Sequence, residues 1–197
     1  MRRKFDSVML KEKGENHKFN VVVDAGCGTG LAGVEFRNIS STLIGIDISH
    51  RIIEQAKKSH NVYDEYKVGD FTEVLRQFPH TVSLLVAADS FIYFNDLGEL
   101  FAAIEGALED GGYAVFSLEN VSNDNELRLS TLKPDWRWQI TSSGRIAHRK
   151  KYVEAAATEN SLHVALYEKL DGFREENGVE VPGHFFVLKK RSSNDEL

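Results

Sequence analysis

A glycine-rich segment is the part of this 197-residue sequence whose residue types point most directly to chemistry. The stretch VVVDAGCGTG, residues 21–30, joins an apolar run to Asp24 and then to three glycines at alternate positions, Gly26, Gly28 and Gly30. Glycines in such a loop let the backbone turn sharply and let a ligand approach the peptide groups without meeting a Cβ. The pattern predicts a ligand-binding loop after the first strand.

Two kinds of ligand use such a loop, and the residues leave both open. The segment GTGLAG, residues 28–33, matches the G-x-G-x-x-G pattern of dinucleotide-binding proteins, with Asp47 at the right distance to accept from a ribose. Asp24, however, places negative charge beside the loop, which suits a cationic ligand better than a pyrophosphate. No histidine neighbours the Cys27 thiol, so we expect no nucleophilic role for it.

The elements that must position this loop follow from the alternation of apolar runs with amphipathic stretches. The runs FNVVVDAG, STLIGIDIS, EYKVGD, TVSLLVAAD and GYAVFSLEN predict five strands. The segments between them favour helices, among them SHRIIEQAKKSH with Ser49 as its N-cap and the stretch from Asp96 to Leu108. Strands that alternate with helices indicate a parallel sheet with helices on both faces.

The C-terminal third has a different pattern. A polar loop is predicted from Asn120 to Trp136, then a helix from about Arg149 to Glu159, and then two strand-like runs, LHVALYEKLDGF and GHFFVLKK, around Asn-Gly at 177–178. We therefore predict an α/β fold: a doubly wound, mostly parallel seven-stranded sheet that ends in a C-terminal antiparallel hairpin. The expected organisation is a short charged segment (1–18), one domain (19–190) and a polar tail (191–197).

Composition narrows the classes of partner and the location. The net charge of -6 disfavours a general affinity for nucleic acid or an anionic membrane, because phosphates are normally met by clustered Lys and Arg. A single cysteine fits a reducing compartment, and no apolar stretch has the length of a signal peptide or membrane span, so we expect a cytoplasmic protein. The final NDEL resembles an ER-retention signal, which acts only on proteins already in the secretory pathway.

Four motifs together resemble those of class I S-adenosylmethionine-dependent methyltransferases: VVVDAGCGTG, GIDIS (45–49), GDF (69–71) and EDGGYAVFS (109–117). More narrowly, YDEYKVGDFTEVL, LLVAADSFIYFNDL and SGRIAH resemble a subgroup of predicted methyltransferases that in bacteria can carry tetratricopeptide repeats, although no such repeat is found here. The resemblance implies the Rossmann-like methyltransferase fold and S-adenosylmethionine as cofactor, with S-adenosylhomocysteine as product.

The same resemblance implies a role for each matched residue. The amino-acid end of the cofactor would be held by Asp24 and by the backbone of Ala25, Gly26, Cys27 and Gly28, and Asp47 would accept from both ribose hydroxyls. Around the adenine and the methyl acceptor, the implied residues are Ile48, Ile52, Asp70, Phe71, Ala88 and Asp89.

Structural roles compete with these assignments. Asp47 could cap the helix that begins near Ser49, Asp70 could be an ordinary turn acid, and Ile48, Ile52 and Phe71 could be core residues that never touch a ligand.

Candidates for the catalytic step lie in SSGRIAHRKKY, residues 142–152. Arg145 could hold an acidic substrate and His148 could accept a proton, while a solvated loop is the alternative for both. Trp136 and Trp138 would either wall the acceptor pocket or belong to an edge strand. We predict no metal site.

The predicted function is methyl transfer to a small molecule or a protein side chain, without a partner nucleic acid or membrane. Relatives usually have N-terminal helices over the cofactor, whereas about 18 mostly charged residues precede the first strand here, so a protein partner or a dimer could complete the lid. The alternatives are a catalytically silent cofactor-binding or assembly module and, less favoured because of Asp24, an NAD-dependent oxidoreductase.

Overall fold

A computed structural model describes residues 1–12, 14, 17–176 and 178–192. The helices are α1 (Arg2–Glu12), α2 (Leu31–Phe36), α3 (His50–Ser59), α4 (Phe71–Leu75), α5 (Gly98–Ala107), α6 (Asn123–Leu132) and α7 (Lys150–Glu159). The strands are β1 (Phe19–Ala25), β2 (Ser40–Asp47), β3 (Glu65–Val68), β4 (Val82–Ala87), β5 (Leu108–Glu119), β6 (Trp138–Ile140), β7 (Ile146–His148), β8 (Leu162–Glu176) and β9 (Val179–Lys190). No described helix is long and apolar enough to cross a membrane.

The strands form one sheet in the order β3-β2-β1-β4-β5-β7-β6, with β9 antiparallel to β5 and β8 antiparallel to β9. The pairs β1/β2, β1/β4, β2/β3 and β4/β5 are parallel, so the sheet is doubly wound and the strand order reverses between β1 and β4. In such sheets ligands bind beyond the carboxyl ends of the strands at the point of reversal. The glycine loop after β1 lies at this point, as predicted.

Helices cover both faces because the central strands are apolar on both sides. On one face α4, α5 and α7 pack against alternate strand residues such as Val23 and Leu85. On the other face α1 and α3 pack against Val22 and Leu84, and Phe36, at the end of α2, joins the same cluster. The central strands are therefore held between two helical layers, which fixes the positions of the loops at their carboxyl ends.

The charged N-terminal segment contributes to this core. Helix α1 buries Phe5, Val8 and Met9 in the cluster that also contains Phe19 and Tyr113. Its polar residues hold it there: Arg2 donates to the backbone oxygen of Glu35, at the end of α2, over 2.6 Å, and other α1 side chains bond to β5, β8 and β9.

The region after β5 differs from the prediction. The sheet has nine strands among the described residues rather than seven, because β6 and β7 form a short antiparallel pair beyond the end of β5. The segment 120–136, predicted as a polar loop, contains α6, whose N-cap Ser122 accepts a hydrogen bond from the Asn125 N–H at 3.4 Å. The few apolar residues of α6 carry almost no periodic signal, and the helix is held through Leu129 against buried Trp136.

The predicted C-terminal hairpin is present. Strands β8 and β9 pair antiparallel from Leu162↔Lys190 to Glu176↔Val179. Gly178 of the predicted turn has φ +77°, the left-handed region that glycine favours. Asn177 and the NDEL tetrapeptide lie outside the described residues.

Candidate functional site

The glycine loop is fixed by hydrogen bonds to the neighbouring strand. The N–H groups of Gly26 and Cys27 donate to the backbone oxygen of Ile46 over 2.8 and 2.9 Å. Gly26 adopts φ +74°, and a Cβ at this position would lie 2.3 Å from the Oγ of Ser90. Glycine is thus required here both by the backbone angle and by the close approach of the loop that follows β4.

Gly28 is different, because it faces open space. It adopts φ +54°, and no atom lies within 4 Å of the position that a Cβ would occupy. The space beside the Gly28 backbone is therefore open to a ligand at the carboxyl edge of the sheet. This open cradle fits the amino-acid and ribose portions of the cofactor that the sequence predicts.

Asp47 connects the glycine loop to helix α3. Its Oδ2 accepts a hydrogen bond from the Gly28 N–H at 3.1 Å and its Oδ1 accepts one from the Ser49 N–H at 2.9 Å. Ser49 itself is the N-cap of α3, since its Oγ accepts from the Ile52 N–H at 3.3 Å. Asp47 is only partly buried, so its oxygens remain accessible, and its role as ribose acceptor stays a prediction.

Asp24 is deeply buried beneath the loop. It is 1% exposed; its Oδ2 accepts a hydrogen bond from the Tyr63 hydroxyl at 2.6 Å, and its Oδ1 has no hydrogen bond of ordinary geometry among the described residues. Burial raises the pKa of Asp24 to about 6, and the Tyr63 hydroxyl opposes that rise. Direct contact of Asp24 with a cofactor stays a prediction; its burial favours an electrostatic action through the loop.

Ala25 and Cys27 take part in the loop through their backbone. Ala25 is buried at the end of β1, in register with Ile46. The Cys27 thiol is buried too, and burial raises its pKa to about 12. The thiol therefore stays protonated at neutral pH, which agrees with the prediction that it is no nucleophile.

Exposed apolar side chains border the loop on the side of β2 and β3. Ile48 is 75% exposed immediately after β2, and Val68 is exposed at the end of β3. Ile52, on the first turn of α3, is half-buried. Uncovered apolar groups at this edge of the sheet fit a flat aromatic ring such as adenine.

Asp70 and Phe71 both have structural contacts. Asp70 is the N-cap of α4: its Oδ1 accepts from the Thr72 N–H at 2.8 Å, and hydrogen bonding from Thr72 lowers its pKa. The Phe71 ring packs against Phe91 and Phe94, with centroids 5.6 and 5.1 Å away. Both residues remain partly exposed, so the structure supports the structural roles and leaves one side of each residue accessible.

Beyond β4 and β5 lies a cluster of charged groups around Arg174, here called the Arg174 network. The Arg174 guanidinium contacts Asp89 at 3.0 Å, Glu176 at 2.9 Å and the buried Glu119. Glu176 also accepts from Arg145. The network joins the ends of β4 and β5 to the hairpin of β8 and β9.

Asp89 is the most accessible acid of this network. It follows Ala88 directly after β4, its side chain is 49% exposed, and its backbone has φ +56°, which is uncommon for a residue other than glycine. Partial burial raises its pKa, although the charges of Arg174 and Arg145 oppose the rise. Such strain at the open end of a strand is frequent at binding sites.

His148 does not lie in a solvated loop. It is fully buried in β7, both ring nitrogens lack a hydrogen bond of ordinary geometry among the described residues, and burial lowers its pKa to about 4. The ring is therefore neutral at physiological pH, but it has no access to solvent in this structure. Its role as a proton acceptor stays a prediction that this burial disfavours.

The structure separates the two tryptophans, and only Trp138 follows the edge-strand alternative. Trp138 begins β6, the strand at the end of the sheet, and pairs with His148 of β7. Trp136 is buried against Val121 and Ala147.

Two residues of the site could not be identified from local sequence patterns. Tyr63 contacts Asp24 across 39 positions, and Arg174 contacts Asp89 across 85. The one sequence signal for Tyr63 is an aromatic residue between a helix end and a strand, which is too common to be informative. Within the described residues, no group of three or more His, Cys, Asp or Glu is placed to hold a metal ion.

Comparison with known proteins gives a match to one family model and to several curated relatives. Residues 23–116 match the model of a methyltransferase domain. The chain is 28% identical over 109 residues to malonyl-[acyl-carrier protein] O-methyltransferase of Yersinia pestis, and 34% identical over 105 residues to magnesium-protoporphyrin O-methyltransferase of Rhodobacter capsulatus. These alignments cover 55% and 50% of this chain but only 40% and 45% of the relatives, so the chain spans less than half of their length.

Solved structures with the same fold cover nearly the whole chain. A SAM-dependent methyltransferase from Methanosarcina mazei matches with a TM-score of 0.68 at 16% identity, over 90% of this chain and 94% of the other. Magnesium protoporphyrin IX methyltransferase from Synechocystis, determined with bound SAH, matches with a TM-score of 0.65 at 15% identity, over 96% of this chain and 83% of the other.

Proposed function

Since residues 23–116 match a methyltransferase domain and the chain has the class I S-adenosylmethionine-dependent methyltransferase fold, we propose that this protein transfers a methyl group from S-adenosylmethionine to a small molecule or a protein side chain. The observation that carries the proposal is the joint geometry of the loop and Asp47. The carboxylate is bonded to the Gly28 N–H, so an open glycine loop and an acid at the end of the next strand form one site.

Different residues would hold the different parts of the cofactor. The backbone of the glycine loop would hold the amino-acid end, the Asp47 carboxylate, which is bonded to the Gly28 N–H, would accept from the ribose hydroxyls, and exposed Ile48 would border the adenine. Asp24 and Asp47 place two acids near the loop, which favours a cationic ligand over a pyrophosphate. This charge distribution disfavours NAD.

The bound cofactor would supply a methyl carbon already activated by the positive sulfonium. The protein then has to orient the acceptor and exclude water, and orientation alone can contribute several kcal/mol, up to roughly 7–11 in favourable cases. A proton acceptor is needed only for an acceptor that starts protonated. In that case Asp89, half exposed and with a raised pKa, is better placed than buried His148.

The acceptor would bind beyond β4 and β5, between Asp89, Arg145 and the exposed Tyr93 ring. Arg145 shares Glu176 with Arg174, so part of its guanidinium is available to an acidic group of the acceptor. A small molecule and a protein side chain both fit this open surface. We also propose a cytoplasmic location, because a single cysteine suits a reducing compartment.

Thermal unfolding with separate additions of S-adenosylmethionine, S-adenosylhomocysteine and NAD tests the cofactor assignment. A ligand at 100 times its Kd adds about 2.7 kcal/mol of stability, which for this size raises Tm by roughly 5–10 °C. We expect this rise with the two adenosyl ligands and not with NAD. A rise with NAD alone would overturn the proposal, and binding without methyl transfer to any acceptor would instead indicate a catalytically silent module.

A further inference from the structure

Tyr63 fills a slot that two glycines leave open beside the glycine loop. It lies between α3 and β3 and is 6% exposed. A Cβ at Gly33 of α2 would lie 2.5 Å from the Tyr63 ring and hydroxyl, and one at Gly45 of β2 would lie 3.0 Å from the ring. The ring is therefore held tightly between α2 and β2, and a larger residue at Gly33 would displace it.

The hydroxyl of this ring is the side-chain donor that reaches Asp24. It donates to Oδ2 over 2.6 Å, while Oδ1 is buried without a hydrogen bond of ordinary geometry among the described residues. Asp24 is followed directly by Ala25 and Gly26, the first residues of the loop. The Tyr63 hydroxyl and the nearby backbone N–H of Gly33 thus orient the carboxylate relative to the loop.

The charge of Asp24 depends on the same hydroxyl. Burial is the largest influence on Asp24 and raises its pKa to about 6; the hydrogen bond from Tyr63 lowers it, as does the backbone N–H of Gly33, and the charge of Asp47 raises it. The other titratable group near Asp24 is the Cys27 thiol, which stays protonated. Loss of the hydroxyl would therefore favour a neutral Asp24 near physiological pH.

We propose that Tyr63 is a positioning residue of the cofactor site, which orients and stabilises the Asp24 carboxylate so that this buried charge attracts the α-ammonium group of S-adenosylmethionine. The inference rests on the proposed function. Tyr63 acts through Asp24 and does not touch the ligand. His60, from the same connection, contacts the Thr29 backbone oxygen over 2.9 Å and anchors the outer side of the loop.

Calorimetric Kd values for S-adenosylmethionine and S-adenosylhomocysteine between pH 5 and 8.5 test the inference. For the wild type we expect affinity to increase as the pH rises through about 6, because Asp24 becomes ionised. In Tyr63→Phe the midpoint should move upward by about one to two pH units, since the carboxylate loses a hydrogen bond to a charged group. Affinity at pH 6.5 should fall roughly 3- to 25-fold and approach the wild-type value at pH 8.5.

Matched variants separate Tyr63 from its surroundings. Tyr66 packs edge-on against Tyr63 with centroids 5.2 Å apart, and its hydroxyl reaches only the exposed Asn61, over 3.4 Å. Tyr66→Phe should therefore keep the wild-type midpoint. Asp24→Asn should remove the pH step, and Tyr63→Phe added to Asp24→Asn should have little further effect. His60→Asn should leave the step in place, which excludes this histidine as its source.

The outcomes distinguish this inference from the proposed function. An affinity that is lowered equally at every pH in Tyr63→Phe would indicate a structural role only and would overturn the inference. An unchanged midpoint of the pH step would overturn it too. Thermal unfolding without ligand checks that Tyr63→Phe is folded. If Tyr63→Phe does not fold, Asp24→Asn provides the test, and a pH step in affinity that persists in Asp24→Asn would overturn the inference. Failure of the folded wild type to bind either ligand at any pH would overturn the proposed function as well.

Discussion

Replacement of Asp47 by Ala should weaken cofactor binding and destabilise the glycine loop at the same time. The carboxylate accepts from the Gly28 N–H at 3.1 Å and from the Ser49 N–H at 2.9 Å, so both backbone donors lose a charged acceptor. A hydrogen bond to a charged group contributes about 1.5–3 kcal/mol, and partial exposure of Asp47 reduces this value. We therefore expect a loss of about 1–3 kcal/mol of unfolding free energy.

The loss of affinity has its own source. The two ribose hydroxyls would lose their charged acceptor, and the Kd for S-adenosylmethionine should rise on the order of 10- to 100-fold, about 1.4–2.7 kcal/mol. Asp47→Asn keeps one acceptor oxygen, so its Kd should lie between those of Asp47→Ala and the wild type. Isothermal titration calorimetry gives the Kd, and urea unfolding gives the stability.

Asp64→Ala is the matched control for the stability effect. Asp64 also accepts from a backbone N–H, that of Leu43 at 2.7 Å, and it pairs with Arg37 at 2.6 Å. It lies just before β3, level with Leu43 in the middle of β2, and its side-chain partners are Leu43 and Arg37 and not the glycine loop. We expect a comparable loss of stability without a change in Kd.

Two results would refute the reasoning. A folded Asp47→Ala protein with a Kd within twofold of the wild type would show that the ribose binds elsewhere. A Kd that rises equally in Asp64→Ala would show that affinity follows overall stability and not the local acceptor.

Three further changes test the site and its supports. Gly26→Ala should cost about 2–3 kcal/mol in urea unfolding, because φ is +74° and the new Cβ would meet Ser90. Arg174→Gln should cost about 3–5 kcal/mol in the same assay, because it leaves the buried Glu119 carboxylate without its cationic partner. The pKa of His148 is about 4 when folded and 6.5 when exposed, so the unfolded chain binds more protons between these values and stability falls by about 3 kcal/mol as the pH drops from 6.5 to 4. His184 is also buried, and burial lowers its pKa to about 4 as well, so His148→Leu should remove only about half of the slope that the two histidines produce in the pH profile of the unfolding free energy. An unchanged slope would contradict the assignment.

Two of these stability predictions have a counterpart in the chain. Gly28→Ala has a positive φ but no atom near the new Cβ, so it should cost only about 1 kcal/mol, and an equal loss at both glycines would contradict the steric argument. Arg145→Gln should cost less than about 1 kcal/mol, since Arg145 is partly exposed and Glu176 keeps its contact with Arg174. Equal losses for the two arginines would mean that burial of Glu119 is not the cause.

Prediction from the sequence succeeded where the signal is local. The β-branched runs, the glycine spacing and Asp47 at the end of the second strand all lie within short windows, and each is dictated by backbone sterics or by burial of apolar residues. The carboxyl edge of the parallel sheet then brings the loop and Asp47 together, as predicted. One failure is also local in origin, because the polar segment that forms α6 lacks a clear periodic pattern.

The sequence by itself therefore determined the fold class and the position of the glycine loop after the first strand. The tertiary structure decided which polar groups are buried and what they contact. Asp24 is held by Tyr63, Asp89 by Arg174, and His148 is enclosed within the sheet, all through contacts between distant parts of the chain. Such contacts depend on strand order and register, and burial in turn sets the pKa of each group, so no short window of sequence contains them.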